Sequence, residues 1–73
     1  MESVIMVVPG RDSALSKAIE LIGRMKARGR IADWKPSDDG VLSVILKLDT
    51  STQRLKEIAS ELKAVGCDIL RQP

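Results

Sequence analysis

Apolar positions in this chain follow two different periods. Four short runs, Glu2–Val8, Arg30–Lys35, Val41–Leu48 and Cys67–Arg71, are either continuously apolar or alternate residue by residue, as strands do. Two longer stretches place apolar residues three and four positions apart, which lines up one face of a helix. The first stripe is Leu15, Ala18, Ile19, Ile22 and Met25; the second is Leu55, Ile58, Ala59, Leu62 and Val65. The order is strand, helix, strand, strand, helix, strand.

Punctuation supports these boundaries. Pro9-Gly10 stops the first strand, and Asp12 or Ser13 is expected to cap the helix by accepting from its free N–H groups. Gly29 ends that helix, with Lys26, Arg28 and Arg30 crowding the exit, where the helix dipole favours cations. Pro36 cannot donate to a ladder, so the second strand lies at an edge or ends there. Ser37-Asp38-Asp39-Gly40 predicts a hairpin turn. Thr50-Ser51-Thr52-Gln53 fits a capping box from Thr50, and Gly66 ends the second helix.

Two right-handed strand–helix–strand units joined by a hairpin interleave into an α+β, ferredoxin-like βαββαβ arrangement spanning residues 1–73 as one domain. The expected sheet is four-stranded and antiparallel, in the order 4-1-3-2, with both helices on one face. The most apolar runs, Val4–Val8 and Val41–Leu48, then form the centre. If Leu42, Val44, Leu46 and Leu48 face the helices, Val41 and Ile45 face away. On the first strand either Ile5 and Val7 or Val4, Met6 and Val8 also face away. The interface candidates are Ile5, Val7, Val41 and Ile45, with Trp34 either anchoring a partner or covering the sheet edge. A cluster of this kind on an uncovered face marks an interface, and a homodimer is expected.

Composition narrows the function. A 73-residue chain builds a core of roughly 3–5 kcal/mol and commonly needs a disulfide, a metal or an oligomer. Cys67 is the only cysteine and there is no histidine, so neither an internal disulfide nor a clustered zinc site is available. The net charge is only +2. No apolar run approaches the ~20 residues of a membrane span, Met1–Pro9 lacks the basic lead of a secretory signal, and a cytoplasmic setting without membrane attachment is expected. Phe and Tyr are absent, which removes the rings on which sheet-based RNA modules stack bases.

The stretches VIMVVPGRDSALSKAIELI, MKARGRIADW and LKEIASELKAVGCDILR together resemble the ACT-type small-molecule-binding regulatory domains. Pro9, Gly10 and Asp12 supply the turn residues of that family in a different order, Ser13 or Ala14 stands where the family has a glycine, and Gly29 before Ile31 matches the glycine ahead of the second strand. The resemblance implies pairing of domains through their sheets. It also implies binding of an effector, often an amino acid, near the first turn.

Candidate chemistry follows from the residues. The turn Gly10, Arg11, Asp12, Ser13 precedes a helix N-terminus and is the effector-binding candidate for an amino acid or other small anion; a capped turn without ligand is the plainer reading. Lys17, Arg24, Arg28 and Arg30 form a basic set. An alternative reading makes the chain a small interaction or inhibitor protein acting on a nucleic-acid complex through that helix face, although a solvated face explains the charges equally well. Asp33, Asp38 and Asp39 are too few for a hard-cation site. Cys67 lacks a histidine to activate it and reads as a small core residue. No catalytic residue, metal or cofactor is expected. The leading reading is a non-enzymatic, ACT-like regulatory or interaction domain.

Overall fold

A computed structural model describes residues 3–71; the expected strand start at Glu2 and the tail Gln72-Pro73 lie outside them. The elements are β1 (Ser3–Pro9), α1 (Asp12–Ala27), β2 (Asp33–Pro36), β3 (Leu42–Leu46), α2 (Thr52–Ala64) and β4 (Cys67–Arg71). They form one antiparallel sheet of order β2-β3-β1-β4, which is the expected ferredoxin-like order read from the other edge. β2 lies at an edge and ends on Pro36, whose missing N–H costs no ladder bond there.

Register decides which face each residue takes. Ile5 pairs with Val44 and Val7 with Leu42, and residues directly opposite each other share a face. Ile5, Val7, Leu42, Val44 and Leu46 are all buried, together with Ala14, Ala18, Ile22 and Met25 of α1 and Ile58 and Leu62 of α2. Ile5 and Val7 are therefore core residues beneath the helices, and their assignment to the open interface is corrected. Both alternations of β1 are apolar, so burial against Val44 and Leu42 makes a choice that hydropathy alone does not.

Trp34 takes the second of its two expected roles and covers the edge of the sheet rather than joining the open face. It pairs with Val44, which turns it toward the helix side, where it packs half-buried against the core. Leu48 also departs from expectation. β3 ends at Leu46, the chain turns with Thr50 N–H donating to the Lys47 carbonyl at 3.0 Å, and Leu48 is left 78% exposed.

The helix ends differ from the expected caps by one residue. Arg11 is the N-cap of α1, in extended conformation and without a side-chain cap, and its carbonyl accepts from Ala14 and Leu15 N–H. Asp12 falls inside the first turn, where it serves the dipole instead. Ser51, not Thr50, caps α2 by accepting from Arg54 N–H at 3.0 Å. At the exit of α1, Gly29 N–H donates to the Lys26 carbonyl and Arg30 N–H to the Met25 carbonyl. That Schellman pattern needs the left-handed φ of +72° that Gly29 adopts. The α1 stripe is rotated from its expected position: Ala14 is buried, while Ile19 is 37% exposed.

Candidate functional site

The face of the sheet turned away from the helices carries no layer of the described chain. Val4, Met6 and Val8 of β1 lie on it beside Ser43 and Ile45 of β3, through the pairs Val4–Ile45 and Met6–Ser43. Leu70 of β4 joins them opposite Met6. Alternation from Leu42 puts Val41 on the same face. Side chains of neighbouring strands shelter one another, so most of these residues are half-buried; Leu70, on the edge strand, is 59% exposed. Ser43 interrupts the belt at its centre, its hydroxyl donating to Met6 Sδ at 3.5 Å. The rim is charged: Asp33 and Lys35 on β2, opposite Ile45 and Ser43, and Asp68 on β4, opposite Val8. Val41 and Ile45 thus sit on the open face as expected. Val4, Met6, Val8 and Leu70 replace Ile5, Val7 and Trp34.

The first turn sits at one end of this face. Because β1 and β3 are antiparallel, the end of β1 lies beside the start of β3, and the Gly10 turn meets the β2–β3 hairpin. A cavity of about 260 Å3 opens between them, lined by Gly10, Arg11 and Asp12 on one side and Asp39, Gly40 and Val41 on the other, with Val8, Pro9 and Leu15 as its floor. Ser13 is exposed and does not line it. The hairpin is held tightly. Ser37 N–H and its hydroxyl both reach the Val41 carbonyl, and Asp39 Oδ1 accepts from Val41 N–H at 3.1 Å. Asp39 also contacts the Ser37 hydroxyl. That contact, with the Val41 N–H, holds its carboxyl below the usual range. Arg11 is the one cation in the cavity, against the carboxylates of Asp12 and Asp39.

The basic set does not form one surface. Arg24 pairs with Glu20 one turn earlier, and Lys26 reaches Asp33 at 3.1 Å. Arg30 leaves the α1 face altogether. Its guanidinium turns to α2, 2.8 Å from Glu61 Oε2 and 3.9 Å from Glu57. The Glu61 contact is a charge pair without hydrogen-bond alignment. Its grouping with Lys17, Arg24 and Arg28 is therefore corrected; the connection after Gly29 points it across the molecule. Cys67 is buried, its Sγ 4.0 Å from the Ala14 carbonyl, and burial pushes its thiol up, with Asp68 adding to the shift.

A second cavity, also about 260 Å3, opens at the opposite end of the sheet between the Gly29-Arg30 exit of α1 and the β3–α2 turn. Its wall includes Arg30, Lys47 and Arg54, with Asp49 the one carboxylate. Sequence reading missed this group because Lys47 and Arg54 fall in different elements, 17 and 24 positions from Arg30. Antiparallel pairing of β2 and β3 is the signal that brings them together.

No group of three or more metal-ligating residues occurs among the described residues, and no helix there is long and apolar enough to cross a membrane. Comparison of the chain with family models, with curated proteins and with solved structures finds no match.

Proposed function

We propose that this chain is a non-enzymatic, ACT-like regulatory or interaction module that pairs with a second copy through its open sheet face. The observation that carries this reading is the apolar belt of Val4, Met6, Val8, Ile45, Val41 and Leu70 across both central strands and one edge. Burying a few hundred Å2 of such surface contributes several kcal/mol at about 25 cal/mol per Å2. A chain with so small a core gains stability from that burial.

Two-fold symmetry lays the belt of one copy on the belt of a second. A two-fold axis along the central strands lays β2 of each protomer over β4 of the other. The edge carrying Asp33 and Lys35 then faces the edge carrying Asp68 and Leu70, and the belt meets itself. Four strands of about five residues make a face of about 19 by 17 Å. That size belongs to the small, reversible end of protein interfaces.

The Gly10 cavity is the effector site of this reading. One guanidinium and two carboxylates suit a zwitterion better than a plain anion: the α-carboxylate on Arg11 and the ammonium on Asp12 or Asp39. Val8 and Val41 belong both to the cavity and to the belt, so a bound amino acid touches the association surface. The nucleic-acid reading draws less support, since Arg24, Lys26 and Arg30 are each paired with carboxylates.

Sedimentation velocity across a wide concentration range tests the association. The wild-type chain should shift from monomer toward dimer as concentration rises, and Ile45→Lys should hold it monomeric without unfolding. A concentration-independent monomer rejects the reading. Amino-acid titration followed by amide shifts of Gly10 and Asp12 tests the cavity; silence there removes the effector site.

A further inference from the structure

We infer that the cavity between the Gly29-Arg30 exit of α1 and the β3–α2 turn binds a small phosphate or phosphomonoester. The inference does not rest on self-association or on the Gly10 cavity. Three cationic side chains from three different segments, Arg30, Lys47 and Arg54, converge on one hollow that holds a single carboxylate, Asp49. Glu57 and Glu61 stand behind Arg30 and Arg54 on the α2 side, but within the hollow the cations outnumber the carboxylate three to one, so an entering anion meets a net positive wall.

The three cations differ in how far they are already paired. Arg30 is the anchored one: only 19% of its side chain is exposed, and Glu61 and Glu57 brace it from the α2 side. Arg54 stands 3.8 Å from Glu57, beyond hydrogen-bond distance, and keeps its donors. Lys47 forms no ion pair among the described residues. Its Nζ hangs over Gly29, 3.9 Å from where a β-carbon there would stand.

Shape selects the class of anion. A tetrahedral oxyanion offers oxygens in three directions to donors that come from three sides, whereas a planar carboxylate satisfies two. The first turn of α2 carries no acidic residue to compete, while the first turn of α1 carries Asp12. The volume of about 260 Å3 admits a phosphate with a small substituent.

The experiment titrates the full chain with inorganic phosphate and, in a second arm, with glycerol phosphate, at ionic strength held constant with chloride. Amide shifts of Gly29, Thr52 and Gln53 are followed. Saturable shifts are expected in both arms. Tighter binding of glycerol phosphate identifies a phosphomonoester as the preferred ligand, and equal binding identifies phosphate itself. Lys47→Gln and Arg54→Gln should each weaken binding about tenfold, the loss of one charge-assisted contact. Both positions are solvent-facing, so these variants should keep the wild-type unfolding midpoint; Arg30→Gln also strips Glu61 of its partner and is not relied on. Shifts that fail to saturate, that chloride reproduces, or that survive both substitutions overturn the inference. So does a single-stranded RNA oligonucleotide that moves these amides at lower concentration than phosphate while also moving those of Lys17 and Arg28. Sedimentation of the same samples reports the dimer separately, so loss of one result leaves the other readable.

Discussion

The backbone N–H of Gly10 donates to the carbonyl oxygen of Gly66 at 3.0 Å, tying the turn after β1 to the turn before β4. Both turns depend on the missing side chains. A β-carbon at Gly10 would stand 3.2 Å from that same oxygen, and Gly66 holds φ at +95° with Ala14 Cβ 3.4 Å from its vacant position. Gly66→Ala should therefore lose about 1–2 kcal/mol from backbone strain. Gly23→Ala, inside α1 with open space around it, should gain about 0.5–1 kcal/mol. Urea unfolding midpoints of the two variants should move in opposite directions; a neutral Gly66→Ala refutes the account of this crossing.

Ile5 and Ile45 stand two strands' worth of chemistry apart although they occupy neighbouring central strands. Ile5 is 1% exposed under the helices, and Ile45 lies half-buried on the open face. Ile5→Ala should cost about 2–5 kcal/mol by leaving a cavity. Ile45→Ala in dilute solution should cost less than about 1 kcal/mol, with its larger effect on the midpoint emerging only at high protein concentration. Equal costs at low concentration contradict the assigned faces.

Acid should loosen the β2–β3 hairpin. Asp33 sits below its ordinary value of 3.8, chiefly through the Trp34 N–H and then Lys26, and Asp39 sits below it through the Ser37 hydroxyl and then the Val41 N–H. A carboxyl whose native value is depressed stabilises fully above its unfolded value, and that contribution is lost as pH falls through the native one. Stability should thus decline below 3.8, not between neutral pH and 5. Asp33→Asn and Asp39→Asn should each flatten that decline in urea midpoints measured against pH; an unchanged acid slope in both variants sinks the assignment.

Cys67 should be a quiet thiol. It is 4% exposed and its ionisation is pushed up by burial, so the reactive thiolate is scarce at neutral pH. Alkylation by iodoacetamide should be slow in the native chain and rapid in urea. Labelling of the native chain at the rate of a free thiol would show that the α2–β4 junction opens readily.

Periodicity and turn residues carried most of the fold. The six elements, the central pair of strands and the edge position of β2 follow from Pro9-Gly10, Pro36 and the hairpin residues. The face of β1 was not legible, because Val4, Met6 and Val8 are as apolar as Ile5 and Val7. Trp34 was decidable in part: with Pro36 opposite Leu42, the hairpin places Trp34 opposite Val44, on the helix side. The α1 cap falls one residue before Asp12 and the α2 cap one residue after Thr50, shifts that side-chain capping preference does not encode. Of the effector candidates, Gly10, Arg11 and Asp12 share a cavity, but its far wall, Asp39 to Val41, needed the β1–β3 pairing to be known.

β1 precedes both of its partner strands and is completed only by β4. Val7 lies between Leu42 and Ile69, so during synthesis the strand emerges with neither neighbour yet translated, then gains β3 while its other flank waits for β4. Until β4 arrives, an oily ribbon with one bare row of amides and carbonyls is on offer to any other nascent strand. A message that stops before Cys67 should yield protein that clumps rather than protein that merely works less well, and the cell's chaperones would meet this chain at its unfinished edge.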